Sequence, residues 1–304
     1  MKARQARPLP EGAIPALVTP MQRDGSIDLG AFRDLLDRQV SSGSSGVVVA
    51  GSTGEGAALT PHERIRLIAA AVDRIGSQTP VIAGCSATAA SATARQVIEA
   101  QDAGADAVLV PSPAYSRPTQ EGLYVHFCSI AEAATLPLIL YDVPARTGVD
   151  IKTETVLRLA RTSSVVGLKD ATGDIGRAIQ VLRQMPDGFT LYSGDDRTAA
   201  ALMLLGARGV ISVAANVAPK ALHGLCRAAL TGDVSETRRI SRVLSPLIEA
   251  LGVESNPIPV KHALARQTGG GYLRPPLTPL AAHLGPVVDA ALADLERDLE
   301  SSAA

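Results

Sequence analysis

Lysine is scarce in this chain, so chemistry that needs a primary amine has few places to occur. Of 29 basic residues only five are lysine: Lys2, Lys152, Lys169, Lys220 and Lys261. Lys169 follows the apolar run Val165-Val166-Gly167-Leu168. An amine at the edge of a buried strand is partly desolvated, which disfavours the ammonium form. The neutral amine attacks a ketone to give an imine, and the imine then serves as an electron sink for carbanion chemistry. The same position also suits a lysine whose stem packs on the strand while its ammonium reaches solvent or pairs with Asp170. Lys261, just after Pro259-Val260, is the rival amine. Lys2 lies in a tail, and Lys152 and Lys220 sit near helix starts.

Imine chemistry needs a proton carrier and a place for a carboxylate. Tyr141 ends the apolar run that precedes the one ending at Lys169. A phenol there can pass protons to and from a carbinolamine and an enamine; a core tyrosine with a satisfied hydroxyl fits the same pattern. The loop Gly51-Ser52-Thr53-Gly54-Glu55-Gly56 has three glycines and two adjacent hydroxyls. Such a loop offers backbone N–H groups and side-chain donors to a small carboxylate without a metal, although many glycine-rich loops are simply turns. Arg146, in Tyr141–Gly148, carries a fork that can grip a second carboxylate, or it is one of many solvated arginines. Tyr115, in the Pro111–Pro118 segment, is a second proton-relay tyrosine or a loop-packing residue.

These groups need a frame. Eight short apolar runs recur: Ala13–Thr19, Gly46–Ala50, Pro80–Ala83, Ala107–Val110, Pro137–Tyr141, Val165–Leu168, Phe189–Tyr192 and Gly209–Val213. Helical stretches alternate with them, such as Leu29–Val40, His62–Ile75, Ala90–Ala103 and Glu121–Ala134. The runs are continuously apolar, the pattern of parallel strands buried on both faces. Eight βα units predict an α/β fold, a (β/α)8 TIM barrel, over about 12–230. No GxGxxG follows the first run, which disfavours a dinucleotide-binding open sheet. About 231–300, including Glu236–Leu251 and Ala281–Leu299, is expected as a C-terminal helical extension packed on the barrel, so that 1–304 forms a single domain. In such a barrel, catalytic groups gather at the C-terminal ends of the strands, where Ser52, Thr53, Tyr115, Tyr141, Arg146 and Lys169 all fall.

The bulk composition is that of a globular protein, with 46% hydrophobic residues and a net charge of -1. There is no basic block to suggest nucleic acid and no apolar run of membrane-spanning length. The first residues lack the apolar core of a secretory signal. Three scattered cysteines, Cys85, Cys128 and Cys226, show neither metal-ligand spacing nor a disulfide framework. A reduced cytoplasm is the expected compartment.

The ordered motifs GSTGEG (51–56), PAYSRPTQEGLY (113–124), YDVPARTG (141–148), GLKDATG (167–173), SGDD (193–196), GVISVAANV (209–217) and NPIPVK (256–261) resemble a known family. It is the class I pyruvate lyase family of dihydrodipicolinate synthase and N-acetylneuraminate lyase. The resemblance, from about Gly12 to Leu280, implies that Lys169 forms an imine with pyruvate and that Tyr141 relays protons. It implies that Ser52 and Thr53 bind the pyruvate carboxylate and link Tyr141 to Tyr115. It further implies that Arg146 holds the carboxylate of L-aspartate 4-semialdehyde, and that Gly194 and Ile211 line the pyruvate pocket through backbone atoms. No cofactor beyond the covalent imine is implied. In the family the second tyrosine comes from a neighbouring subunit. A homotetramer built from tight dimers, or a dimer, is therefore expected.

Three departures qualify the match. Ser52 stands where the family usually has threonine, keeping the hydroxyl with less χ1 restraint. Ala114 replaces an aromatic ring that packs across the tight dimer. Lysine-inhibited members bind their inhibitor through polar residues at positions matching Gly56, Pro61, Arg64, Thr88, Ala92 and Ala114. Most of these lack the required groups, so little or no feedback inhibition by L-lysine is expected. Within the family the rival activity is a lyase for a sugar acid or another 2-oxo acid, disfavoured by Arg146. Outside it, the rival is a non-catalytic 2-oxo-acid-binding barrel, which has no reason to keep both Lys169 and Tyr141.

Overall fold

A computed structural model describes residues 8–133, 135–268 and 271–301. Lys2 and Ala134 lie outside the described residues. Eight parallel strands follow one another in the chain: β1 Gly12–Pro15, β2 Val47–Val49, β3 Val81–Gly84, β4 Ala107–Pro111, β5 Leu138–Asp142, β6 Val165–Asp170, β7 Thr190–Ser193 and β8 Gly209–Ser212. Each neighbours the next in sequence, and β8 pairs with β1. A bridge between Ala16 and Val48, with the Leu17 N–H donating to the Val48 carbonyl at 2.9 Å, closes the ring between β1 and β2. The fold is the expected TIM barrel.

The helices of the barrel are α1 Leu29–Ser41, α2 Pro61–Ile75, α3 Ala90–Asp102, α4 Gln120–Ala131, α5 Pro144–Thr147, α6 Thr153–Leu159, α7 Ile175–Gln184, α8 Ala199–Leu204 and α9 Pro219–Leu230. Three more follow: α10 Val234–Ala250, α11 Ile258–Thr268 and α12 Gly285–Ser301. Their starts are written in the sequence. Thr60 and Glu63 form a reciprocal capping box before α2, with Pro61 at the first helical position. Asp28, Thr119, Asp174 and Asp233 cap α1, α4, α7 and α10 by accepting from main-chain N–H groups.

Two buried apolar layers result. Alternate strand residues such as Ile14, Val48, Ile139 and Ile211 fill the barrel. The intervening ones, such as Val49, Val108 and Leu168, meet the ring of helices. Leu244 of α10, Val260 of α11 and Leu292 of α12 belong to this outer core, so the C-terminal helices share the hydrophobic layer of the barrel helices.

Observed boundaries differ from the expected ones for physical reasons. The first run reaches Thr19, but β1 stops at Pro15 and Ala16 makes only the closing bridge. The sixth run ends at Leu168 by hydropathy, yet β6 continues through Lys169 and Asp170 because both pair with β5 and β7. Lys169 therefore belongs to a strand. The Pro144–Thr147 turn of helix is too short to carry a periodic apolar signal.

Candidate active site

A cavity of about 480 Å³ opens at the C-terminal ends of the strands. Lys169, Tyr141, Ser52, Thr53 and Arg146 all line it. The pairing of β5 with β6 places Tyr141 opposite Lys169. Both point into the barrel, and the Lys169 ammonium nitrogen stands 4.3 Å from the centre of the Tyr141 ring. Lys169 is 4% exposed and Tyr141 8%. Nothing in this arrangement makes Lys169 a solvent-reaching surface lysine.

The next residue on each strand faces the other way, as the pleat demands. Asp142 and Asp170 are buried behind the barrel wall and both are held by Arg177 of α7. Arg177 donates to Asp142 at 2.7 Å, pairs with Asp170, and donates to the Ile151 carbonyl at 2.6 Å. Burial pushes the Asp142 carboxyl up to about 7, with Arg177 pulling it the other way. The clamp fixes the ends of β5 and β6 at one level, and so the height at which Tyr141 and Lys169 enter the cavity. Asp170 is thus committed to Arg177 rather than to Lys169.

A second tyrosine, Tyr192, is the register partner of Lys169 on β7. Its hydroxyl donates to the Pro10 carbonyl at 2.6 Å, and burial raises its pKa. It is a satisfied core residue. The Tyr141 hydroxyl has no hydrogen-bond partner among the described residues and remains available.

The GSTGEG loop leaves β2 in a strained path, with Ala50 at φ +58° and Glu55 at φ +55°. Its glycines are needed for close approach. A Cβ on Gly56 would lie 2.1 Å from the Ala50 carbonyl oxygen, and one on Gly84 would lie 2.6 Å from the Gly51 Cα. Among the described residues, the main-chain N–H groups of Ser52 and Thr53 have no acceptor. Two adjacent free N–H groups beside two hydroxyls make a small anion site within the cavity of Lys169.

Thr53 is almost fully buried, and its Oγ1 accepts from Asn256 Nδ2 at 2.9 Å. Arg146 donates from Nη2 to the Asn256 main-chain oxygen at 2.7 Å. Gly194 packs against the Lys169 stem, and a Cβ there would lie 2.9 Å from Lys169 Cε. Ile211 is buried in the barrel layer that contains Tyr141, and it is not among the cavity's lining residues. Tyr115 stands apart, 95% exposed at φ +73°. Cys85 lines the cavity, but burial pushes its thiol up to about 12, so it offers no thiolate.

The rival amine is occupied. Lys261 is buried in an ion pair with Glu55 and also donates to the Tyr272 carbonyl at 2.7 Å. Burial pulls its pKa down and Glu55 opposes the shift. Arg274, beyond α11, binds Glu63 at 2.5 Å and donates to the Gly25 and Ala58 carbonyls. Its main-chain N–H donates to Glu55 at 3.0 Å. The C-terminal section therefore grips the loop that carries Ser52 and Thr53. Sequence spacing missed Asn256, Arg177 and Arg274, because their partners lie far away in the chain; only the NPIPVK motif pointed near Asn256.

The sequence model of the Dihydrodipicolinate synthetase family matches residues 9–295. The chain belongs to that family. It is 50% identical over 288 residues to the 4-hydroxy-tetrahydrodipicolinate synthase of Methylibium petroleiphilum, covering 93% of this chain and 97% of the relative. Among solved structures it resembles the chloride-inhibited dihydrodipicolinate synthase of Acinetobacter baumannii complexed with pyruvate. That match has a TM-score of 0.92 and 42% identity over 95% of this chain and 99% of that one. A structure described as the first monomeric dihydrodipicolinate synthase variant gives a TM-score of 0.92 and 35% identity, covering 94% and 97%. As a member of this family, the chain has in Lys169 and Tyr141 a buried amine and a buried phenol that share one cavity with the GSTGEG loop.

Proposed function

We propose that this chain is a lyase that condenses pyruvate with L-aspartate 4-semialdehyde to 4-hydroxy-tetrahydrodipicolinate, a step of diaminopimelate and lysine biosynthesis. One observation carries the reading: a buried lysine with a free tyrosine hydroxyl beside it, in a cavity that is also lined by Ser52 and Thr53 of the GSTGEG loop. Pyruvate's carboxylate sits on the N–H groups and hydroxyls of Ser52 and Thr53. The Lys169 amine adds to the ketone carbon, and Tyr141 delivers the proton with which the oxygen leaves as water. The resulting imine takes the place of a cofactor. Loss of a methyl proton gives the enamine, whose carbon adds to the aldehyde of the second substrate while Arg146 holds that substrate's carboxylate. The substrate's own amine then closes the ring onto the imine carbon and releases Lys169.

Gly194 leaves room beside the Lys169 stem, and Gly194 and Ile211 line the pyruvate pocket with their main-chain atoms. Tyr115 has no role within one chain; it acts when a second copy covers its exposed ring, in a tight dimer or a tetramer of such dimers. Sedimentation of the wild type and Tyr115→Ala tests that arrangement. No helix among the described residues is long and apolar enough to cross a membrane, and we place the enzyme in the cytoplasm. The discriminating assay presents pyruvate with aspartate semialdehyde, and in parallel N-acetylneuraminate and a keto-deoxy sugar acid. Turnover of the first pair supports the reading; turnover of the sugar acids alone would replace it with a sugar-acid lyase.

A further inference from the structure

A threonine hydroxyl carries one hydrogen and two lone pairs, so it can give or take a hydrogen bond. At Thr53 a distant residue decides between the two. The Asn256 side-chain Nδ2 donates to Thr53 Oγ1 at 2.9 Å, across 203 positions of chain. With its oxygen engaged by that donor, the hydroxyl keeps its own hydrogen. Among the described residues no acceptor stands within hydrogen-bond reach of that hydrogen. The Thr53 side chain is therefore a donor that the protein itself does not use. Thr53 and Asn256 both line the cavity of Lys169, so the hydrogen is left for what that cavity holds.

An ionised carboxylate only accepts hydrogen bonds. A hydroxyl that presented its lone pairs would repel it, whereas one that presents its hydrogen binds it. We propose that Asn256 is a positioning residue for pyruvate: by occupying the Thr53 oxygen, it commits the Thr53 hydroxyl to donate to the substrate carboxylate. The inference rests on the reading of this cavity as a pyruvate site. Asn256 acts wholly through Thr53 and needs no contact with the substrate. Its own place is fixed by Arg146, which donates to its main-chain oxygen at 2.7 Å. Thr53 is buried and β-branched, so its oxygen is held and only the direction of the hydrogen is left to be set. Setting that direction before the substrate arrives removes a rotor that binding would otherwise have to order.

A double-mutant cycle separates this role from a contact that merely holds the loop. The pyruvate concentration that half-saturates borohydride trapping on Lys169 is measured for wild type, Asn256→Ala, Thr53→Val and the double variant. The KM for L-aspartate 4-semialdehyde is measured beside it, and Thr53→Ala serves as a second background without the hydroxyl. Asn256→Ala should raise the half-saturating pyruvate by about three- to tenfold, the scale of one hydrogen bond. The KM for the semialdehyde should stay within about twofold, because the bond from Arg146 to the main chain survives. In Thr53→Val or Thr53→Ala, which have no hydroxyl to orient, adding Asn256→Ala should change pyruvate capture by less than about twofold. An equal cost of Asn256→Ala with and without the hydroxyl would overturn the proposal in favour of a purely structural contact. Unchanged or tighter capture in Asn256→Ala would overturn it as well, because the Thr53 hydrogen would then have pointed at the amide. Failure of the wild type to trap pyruvate is a separate result: it would remove the underlying reading and the proposal with it.

Discussion

Tyr141 and Lys169 are register partners on adjacent strands, and the amine of one lies over the ring of the other at 4.3 Å. That proximity is set by backbone pairing and by the Arg177 clamp behind it, not by a loop that must close. Tyr141→Phe keeps the ring against Lys169 and removes only the hydroxyl. Loss of a positioned proton carrier typically costs about 10²–10⁴ in rate. We expect kcat to fall into that range while pyruvate still becomes trapped on Lys169, more slowly. Single-turnover trapping beside steady-state rates measures both. An unchanged kcat would remove the relay from Tyr141.

The buried Glu55–Lys261 pair ties α11 to the GSTGEG loop. Removing one member of such a pair leaves a buried charge and costs about 3–5 kcal/mol. Lys261→Met should therefore lower unfolding stability strongly, and adding Glu55→Gln should restore part of it. Denaturant unfolding of the single and double variants shows this. Trapped pyruvate should stay on Lys169 throughout. If Lys261→Met abolished trapping in folded protein, the assignment of the nucleophile would be wrong.

Most of this frame was legible in the sequence. Eight strands announced themselves as continuous apolar runs, and Lys169 and Tyr141 fell at the ends of consecutive ones. Adjacent parallel strands bring such ends together without further information. The Asn256–Thr53 bond was not legible, because it joins residues 203 positions apart and no periodicity encodes it. Nothing in the sequence marks Arg177, because the two strand-end carboxylates it binds come within its reach only in the fold. The fate of Lys261 depended on Glu55, whose left-handed backbone turns its carboxylate inward. The resemblance makes Tyr115 a site residue reached from a neighbouring subunit, and in a single chain its ring is exposed.

Glu63 supplies a pH dependence. Arg274 holds its carboxyl down from 4.5 to about 2, aided by the main chain and hydroxyl of Thr60. Between those values the unfolded chain binds a proton that the folded one does not, so this contribution to stability rises with pH and is lost as pH falls from about 4.5 toward 2. Thermal unfolding across that acid window should show a steep loss in the wild type and a shallower one in Glu63→Gln, which starts from a lower plateau. Parallel curves would mean that the Glu63–Arg274 contact contributes nothing to the acid limb.

Feedback by L-lysine should be weak or absent. Gly56, Pro61, Thr88, Ala92 and Ala114 offer no acidic, amide or imidazole side chain, and Arg64 is buried with one guanidinium nitrogen 3.3 Å from Glu99. Initial rates with rising lysine should stay near the uninhibited value into the millimolar range, the scale of weak ordinary ligands. Half-inhibition well below about 1 mM would show that another set of residues binds it.

The central claim is that Lys169 is the amine that captures pyruvate. Pyruvate and borohydride are added to the wild type and to Lys169→Ala, and the peptides are mapped by mass. The account predicts a stable adduct on the peptide containing Lys169 in the first protein and none in the second, with both folded. Absence of an adduct in the wild type, or its appearance on the peptide of Lys261, would contradict it.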